Sequence, residues 1–436
     1  MPPWTDAGDV PMPAWTRSVA PNKSEVAIYA EPGKLEARRG SVQSGARLPL
    51  FGSRRSAGCQ GRWLNVGPLA WVCSDVVELS GDEPTSPPLG ARPWTVQNAS
   101  AISEDVIRPP RPGTRGLPPL AALSPADDGL PYRYYFAGKD GAYGFANLAS
   151  ALDDSPDQDL EPGFAVAVTE EQSAHGERWG KTKKGRFIAM RELVPARPLL
   201  FHGELVENGK LDMAWVVIER ANVYASEKLD KAVATRVRFE KVTVLEDKPG
   251  KDGHGGVVRI DKGWMRARDI SRPKPMPPPP EIQVAEGERW IDVDLVQQAL
   301  VAYEGEKPVF ATIVSTGKGP PGSDFETRKG SHRIWVKIFT TKMDNLDPPK
   351  GDKAEDPDRH HYSMEDVPWV QFFDKAIALH GAFWHRDFGH VHSHGCVNLA
   401  PIDARWLFAF TGPHLPSGWT AVLPTRIEQG TLVRVR

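Results

Sequence analysis

The sequence predicts a mainly β chain built from several small domains. Glycine (40) and proline (41) are plentiful among 436 residues. Runs of Val, Ile and Trp are short, and turn signals recur between them. That combination favours short strands over long helices. The length suffices for roughly two to four domains. Hydrophobic residues at 40% and charged residues at 25% are ordinary for a folded chain. A net charge of −2 gives no global pull toward nucleic acid or an anionic membrane. No run approaches the roughly 18 apolar residues of a membrane span.

Residues 1–22 read as a disordered leader that lacks the basic start and apolar run of a secretory signal. Three segments then look like relatives of one another: 23–80, 130–198 and 199–270. The first and third open on a strand with Tyr and Ala, at Tyr29-Ala30 and Tyr224-Ala225. All three close on an aromatic, a few mixed residues, an acid and an aliphatic: Trp71 with Asp75-Val76, Phe187 with Glu192-Leu193, and Trp264 with Asp269-Ile270. The step from Trp179 to Phe187 repeats that from Trp63 to Trp71. Such patterns build small barrels. The segments resemble bacterial SH3-like domains, which implies cell-wall peptide binding or a spacer role. Any small β-barrel can end on an aromatic strand, so the pattern also fits unrelated barrels. Pro-rich linkers are expected at 81–129 and at 271–283, where SRPKPMPPPPEIQ favours an extended polyproline form.

From residue 284 the pattern changes. ERWIDVDLVQQALVAYEGEKPVFATIVSTG alternates apolar and polar residues around the turn signal EGEK, which predicts hairpin strands. RIWVKIFTTKM predicts another strand and 344–362 a loop. PIDARWLFAFTG predicts a short helix with Trp406, Leu407 and Phe410 inward, and GTLVRVR a closing strand.

There are three cysteines. Cys59 and Cys73 either pair or serve as two small buried hydrophobes. Cys396 is the odd one, at the end of HSHGCVN. If that stretch were extended, His390, His392, His394, Cys396 and Asn398 would share a face. Cysteine attacks as thiolate, so it needs a neighbour to take its proton. His394 is two residues away; His380, in ALHGAFW, can approach on an adjacent element. Gly395 allows a sharp turn, with the N–H groups of Gly395 and Cys396 as oxyanion donors. The alternate histidines also suggest a metal site, although three or four ligands in a row on one strand strain a tetrahedral ion.

HGAFW followed by SHGCVN resembles the signature of YkuD-type L,D-transpeptidases, over about 284–436. The resemblance implies a C-terminal β-sandwich with short helices after the SH3-like barrels, and no metal or organic cofactor. It makes Cys396 the nucleophile and His380 the base, the latter oriented by the carbonyl of Gly381. His394 and Gly395 join the catalytic set, and Gly381, Ser393, Asn398 and Arg405 make the substrate site. Where many members carry Arg, this chain has Asn398, which cannot hold a carboxylate as Arg does. Arg386 or Arg405 can supply that charge. The implied partners are peptidoglycan peptide stems and a second stem or a wall-attached protein as acceptor, without nucleic acid. The implied location is the cell envelope, the periplasm, reached after loss of a leader or from an earlier start. The alternative is a wall-binding scaffold without catalysis, which intact Cys396 and His380 oppose.

Overall fold

A computed structural model describes residues 12–84, 128–174, 176–250, 255–346 and 361–436. The chain is mainly β, as the turn-rich composition predicts. Residues 1–11 of the expected leader, most of the 81–129 linker and most of the 344–362 loop fall outside the described residues.

Three N-terminal units each enclose an apolar core. Each ends in a hairpin, one 3₁₀ turn and a short strand. In the first these are Trp63–Gly67, Ala70–Cys73, Ser74–Val76 and Val77–Ser80. In the second they are Glu177–Thr182, Phe187–Ala189, Met190–Glu192 and Leu193–Pro195. In the third they are Val257–Ile260, Gly263–Arg266, Ala267–Asp269 and Ile270–Ser271. The aromatic-acid-aliphatic cue is this turn read along the chain. The acid sits in the 3₁₀ turn, and Val77, Leu193 and Ile270 are buried just after it.

The first unit starts before residue 23. Ser18–Pro21 is a strand paired with Val77–Ser80 and Leu48–Pro49. Val19 is fully buried in the first core, which orders a segment expected to be free. Cys59 and Cys73 form a disulfide with Cα atoms 5.6 Å apart.

The C-terminal region is a sandwich. One sheet runs Lys307–Ile313, Ala299–Glu304, Arg289–Asp294, Leu432–Val435 and Gly330–Arg333, with Glu204–Leu205 added at its edge. The second joins Trp419–Val422, Val336–Asp344, Ser363–Asp374, Ile377–Gly381 and Val397–Leu399. Helix Pro401–Phe410 starts on a proline, whose fixed φ suits a first turn, and buries Trp406, Leu407 and Phe410. The core combines Ile291 and Phe310 of one sheet with Leu379 and Val397 of the other.

All three units dock on this sandwich. Arg38–Gln43 pairs with Trp419–Val422, and Trp419 and Val422 complete the first core. Only glycine fits at position 40, since a Cβ there would stand 2.2 Å from the Ala421 carbonyl oxygen. The third unit shares a core with the sandwich through Trp215, Val217, Ile313 and Phe388. The 271–283 segment lies against the sandwich: Tyr303 Oη accepts from Met276 N (3.0 Å), and Arg434 donates to Pro277 O (2.9 Å).

The second unit grips the strand Ser363–Asp374. Tyr134 Oη donates to Asp366 O (2.6 Å), Lys183 Nζ to Asp366 Oδ1 (2.7 Å), and Trp369 Nε1 to Gly129 O (2.8 Å). Asp366 (φ 55°) and Trp369 (φ 62°) both adopt left-handed backbone, which costs energy in non-glycine residues. Contacts from outside the sandwich hold them there. Tyr134→Phe leaves the Asp366 carbonyl without this donor, and urea unfolding is expected to show a loss of about 1–3 kcal/mol.

Candidate active site

Two strands of the second sheet bring the chemistry together. Ile377–Gly381 lies parallel to Val397–Leu399, with His380 opposite Asn398 and Leu379 opposite Val397. Side chains alternate along a strand, so His380 and Asn398 share a face. Cys396 immediately precedes the second strand. Its half-buried side chain packs in a cluster with Val367, Val370, Ala378 and Trp384.

The HSHGC stretch is not extended. It bends through His394, Gly395 and Cys396, and Gly395 has a φ of 117°, a conformation that glycine adopts at little cost. The bend is clamped on several sides. His392 N and Ser393 N both donate to Thr316 O (3.0 Å each), and Lys318 N donates to Ser393 O (3.0 Å). Thr327 Oγ1 donates to Gly395 O (2.7 Å). Ser393 Oγ donates to Cys396 O and accepts from Gly395 N (3.1 Å). Ser393 therefore staples the turn, and the Gly395 N–H expected as an oxyanion donor is already engaged. Thr316 and Thr327 carried no signal in the sequence, because an isolated threonine before a turn is commonplace.

His380 is buried, and its Nδ1 donates to Gly381 O (3.2 Å). That places the proton on Nδ1 and leaves a lone pair on Nε2. Burial pulls its pKa down to about 4, against a small upward effect of the Gly381 bond. Its ring stacks on Trp384, with centroids 5.7 Å apart. Gly381 is backed closely by Pro368 and Ala404. The Cys396 thiol donates to Ala376 O at 3.9 Å, a long contact even for sulfur. Burial pushes its pKa up to about 11, opposed by the Ala378 backbone. Burial therefore favours the neutral form of both the His380 ring and the Cys396 thiol.

His394 sits between Phe325 (4.7 Å, edge-on) and Tyr362 (5.7 Å, stacked), and burial, then Lys318, lowers its pKa. Arg405 is half-buried on the helix, next to Ala404. Arg386 is exposed and donates to Arg197 O (3.3 Å).

The row of alternate histidines does not converge on an ion. His390 Nε2 bonds Val217 O (2.8 Å), His392 Nδ1 meets Asp387 Oδ2 (3.0 Å), and His394 is held by aromatics. Another set, His385, Asp387 and His392, has ligand atoms within 4.8 Å of one another. Its two imidazoles lie face to face, however, with centroids 4.1 Å apart and planes 30° apart. Ligands of a tetrahedral ion point their nitrogens edge-on at one centre. Asp387 is also paired with Arg238 (3.6 Å).

If His380 takes the proton of Cys396, these shifts make thiol plus free imidazole the reacting form. The rate of Cys396 acylation is expected to stay level between about pH 6 and 9 and to fall toward pH 4, as His380 gains a proton and ceases to be a base. Simple alkylation by iodoacetamide, which needs thiolate, should instead climb toward about pH 11. Stopped-flow rates against pH check both profiles.

Residues 288–435 match the family described as the L,D-transpeptidase catalytic domain, YkuD. This part of the chain is such a domain, with the family's β-sandwich. Among solved structures, a cysteine-to-serine mutant of the Enterococcus faecium L,D-transpeptidase is similar at 20% identity, covering 34% of this chain and 50% of its own (TM-score 0.24). The L,D-transpeptidase from Stackebrandtia nassauensis is similar at 26% identity, covering 36% and 58% (TM-score 0.22). The catalytic domain of the E. faecium enzyme acylated by ertapenem is similar at 22%, covering 34% and 97% (TM-score 0.24). The chain thus spans about half the length of the first of these relatives. No curated protein matches it.

Proposed function

We propose that the chain is a peptidoglycan L,D-transpeptidase acting through Cys396. The observation that carries this reading is His380. It is buried on the strand beside the nucleophile's strand, with Nδ1 tied to Gly381 O and Nε2 left as base. Cys396 Sγ attacks the carbonyl that joins the L-centre of diaminopimelate to the terminal D-alanine of a tetrapeptide stem. As the C–S bond forms, His380 Nε2 takes the thiol proton. The C–N bond then breaks, and the proton passes to the departing D-alanine amine, leaving a thioester. The amine of a second stem, or of a wall-attached protein, attacks the thioester. His380 takes the proton of that amine and returns it to the sulfur. The Cys396 N–H serves the oxyanion, since that of Gly395 is held by Ser393. His394, Ser393, Asn398 and Arg405 line the stem.

An envelope location fits the Cys59–Cys73 disulfide, because such bonds persist in oxidising compartments. The repeated hairpin and 3₁₀ ending of the three N-terminal units supports their reading as SH3-like barrels. Their docking on the sandwich favours a structural role over a tethered one.

Intact-mass analysis after incubation with a carbapenem tests the assignment. The wild type should gain one adduct that maps to Cys396 and is indifferent to chelator. Cys396→Ala should gain none, and His380→Ala should acylate at least about a hundredfold more slowly. Turnover retained in Cys396→Ala would sink the mechanism.

A further inference from the structure

The amide of Asn398 is 3% exposed and lies on the catalytic face. Its Nδ2 is 2.8 Å from His385 Nε2, while its Oδ1 is buried without a partner. The hydrogen bonds of His385 argue for the reverse orientation. His385 Nδ1 accepts from the Asp387 backbone N–H (3.1 Å), so it holds a lone pair. Burial, first, and the neighbouring charges keep the ring neutral, with a pKa of about 3. A neutral imidazole with a lone pair on Nδ1 carries its hydrogen on Nε2. Nε2–H and an amide NH2 cannot bond to each other. The amide oxygen and nitrogen have nearly the same shape, and the hydrogen-bond network decides between them. Asn398 therefore turns its Oδ1 to His385 and its NH2 to the buried, unpartnered position, at the strand register opposite His380 and two residues from Cys396.

The ring that sets this orientation is itself set from outside the sandwich. His385 stacks on His392, whose Nδ1 is paired with the Asp387 carboxylate (3.0 Å). Arg238 of the third unit faces that carboxylate (3.6 Å). Val217 of the same unit takes the His390 hydrogen bond and presses on Gly389, where a Cβ would stand 2.3 Å from Val217 Cγ1. The turn that carries His385 is thus held by the third unit.

We propose that His385, braced by Arg238 through Asp387, is a positioning residue that aims the Asn398 NH2 at an oxygen of the acyl donor. The proposal rests on the acyl-transfer reading of the site. It makes Asn398 a neutral donor to a carbonyl oxygen, where many relatives of the motif offer a charged arginine.

The test uses the full chain. Long-range nitrogen–proton NMR correlations on histidine-labelled protein report the tautomer of His385, with its hydrogen expected on Nε2. Carbapenem acylation of Cys396 is then timed by mass. His385→Gln places an N–H donor near the old Nε2 and should stay within about threefold of wild type. His385→Phe keeps the stack without the donor and should lose about tenfold. His385→Glu offers an acceptor, turns the amide around and should lose at least as much, so one poorly folded variant does not decide the outcome. Arg238→Ala should slow acylation by a few-fold and Arg238→Lys should restore it. A hydrogen on Nδ1 of His385, or equal losses in the Gln and Phe variants, overturns the proposal. A wild type that forms no adduct overturns the transpeptidase reading instead, and leaves the tautomer result standing by itself.

Discussion

The parallel pairing of Ile377–Gly381 with Val397–Leu399 is the constraint on which the rest depends. Its register sets His380 opposite Asn398 and brings the turn with Cys396 to the end of the same ladder. A slip of one residue would turn His380 to the other face of the sheet, away from the face it shares with Asn398. Parallel strands need a crossover between them, and here residues 382–396 supply it. That crossover carries His385, Asp387, His390 and His392. The site is thus a strand pair and the loop that the pairing obliges.

The remainder of the molecule acts on these pieces from the sides. The second unit holds two left-handed residues in Ser363–Asp374, the strand next to the one that bears His380. The third unit holds the crossover loop. The first unit borrows Trp419 and Val422 for its own core and so closes the far edge of the same sheet. A residue tens of positions before the sandwich can therefore bear on its chemistry through packed and hydrogen-bonded contacts.

Much of this was legible in the sequence, for identifiable reasons. Strand alternation, the apolar spacing of Trp406, Leu407 and Phe410 and the aromatic-acid-aliphatic endings are local patterns, and each matched an element. Cys396 and His380 were legible because the motif around them is dense. The shared face of the histidine row depends on an extended stretch, and Gly395 and the staple of Ser393 bend it instead. The early strand at Ser18–Pro21 escaped because it carries a single large apolar residue, Val19, and is held by pairing with the distant Val77–Ser80. Arg238 and Val217 could not be found at all, since nothing local to them points to a loop some 150 residues away in sequence.

The half-buried Cys396 thiol has a consequence for survival as well as reactivity. Where a bond such as Cys59–Cys73 endures, oxidants also threaten any free sulfur. Oxidation and disulfide exchange proceed through thiolate, and burial pushes the Cys396 pKa up to about 11, so that little of it is ionised at neutral pH. Kept as a thiol, Cys396 thus resists oxidation. The same enclosure that makes it a sluggish nucleophile in isolation preserves it as a reduced one.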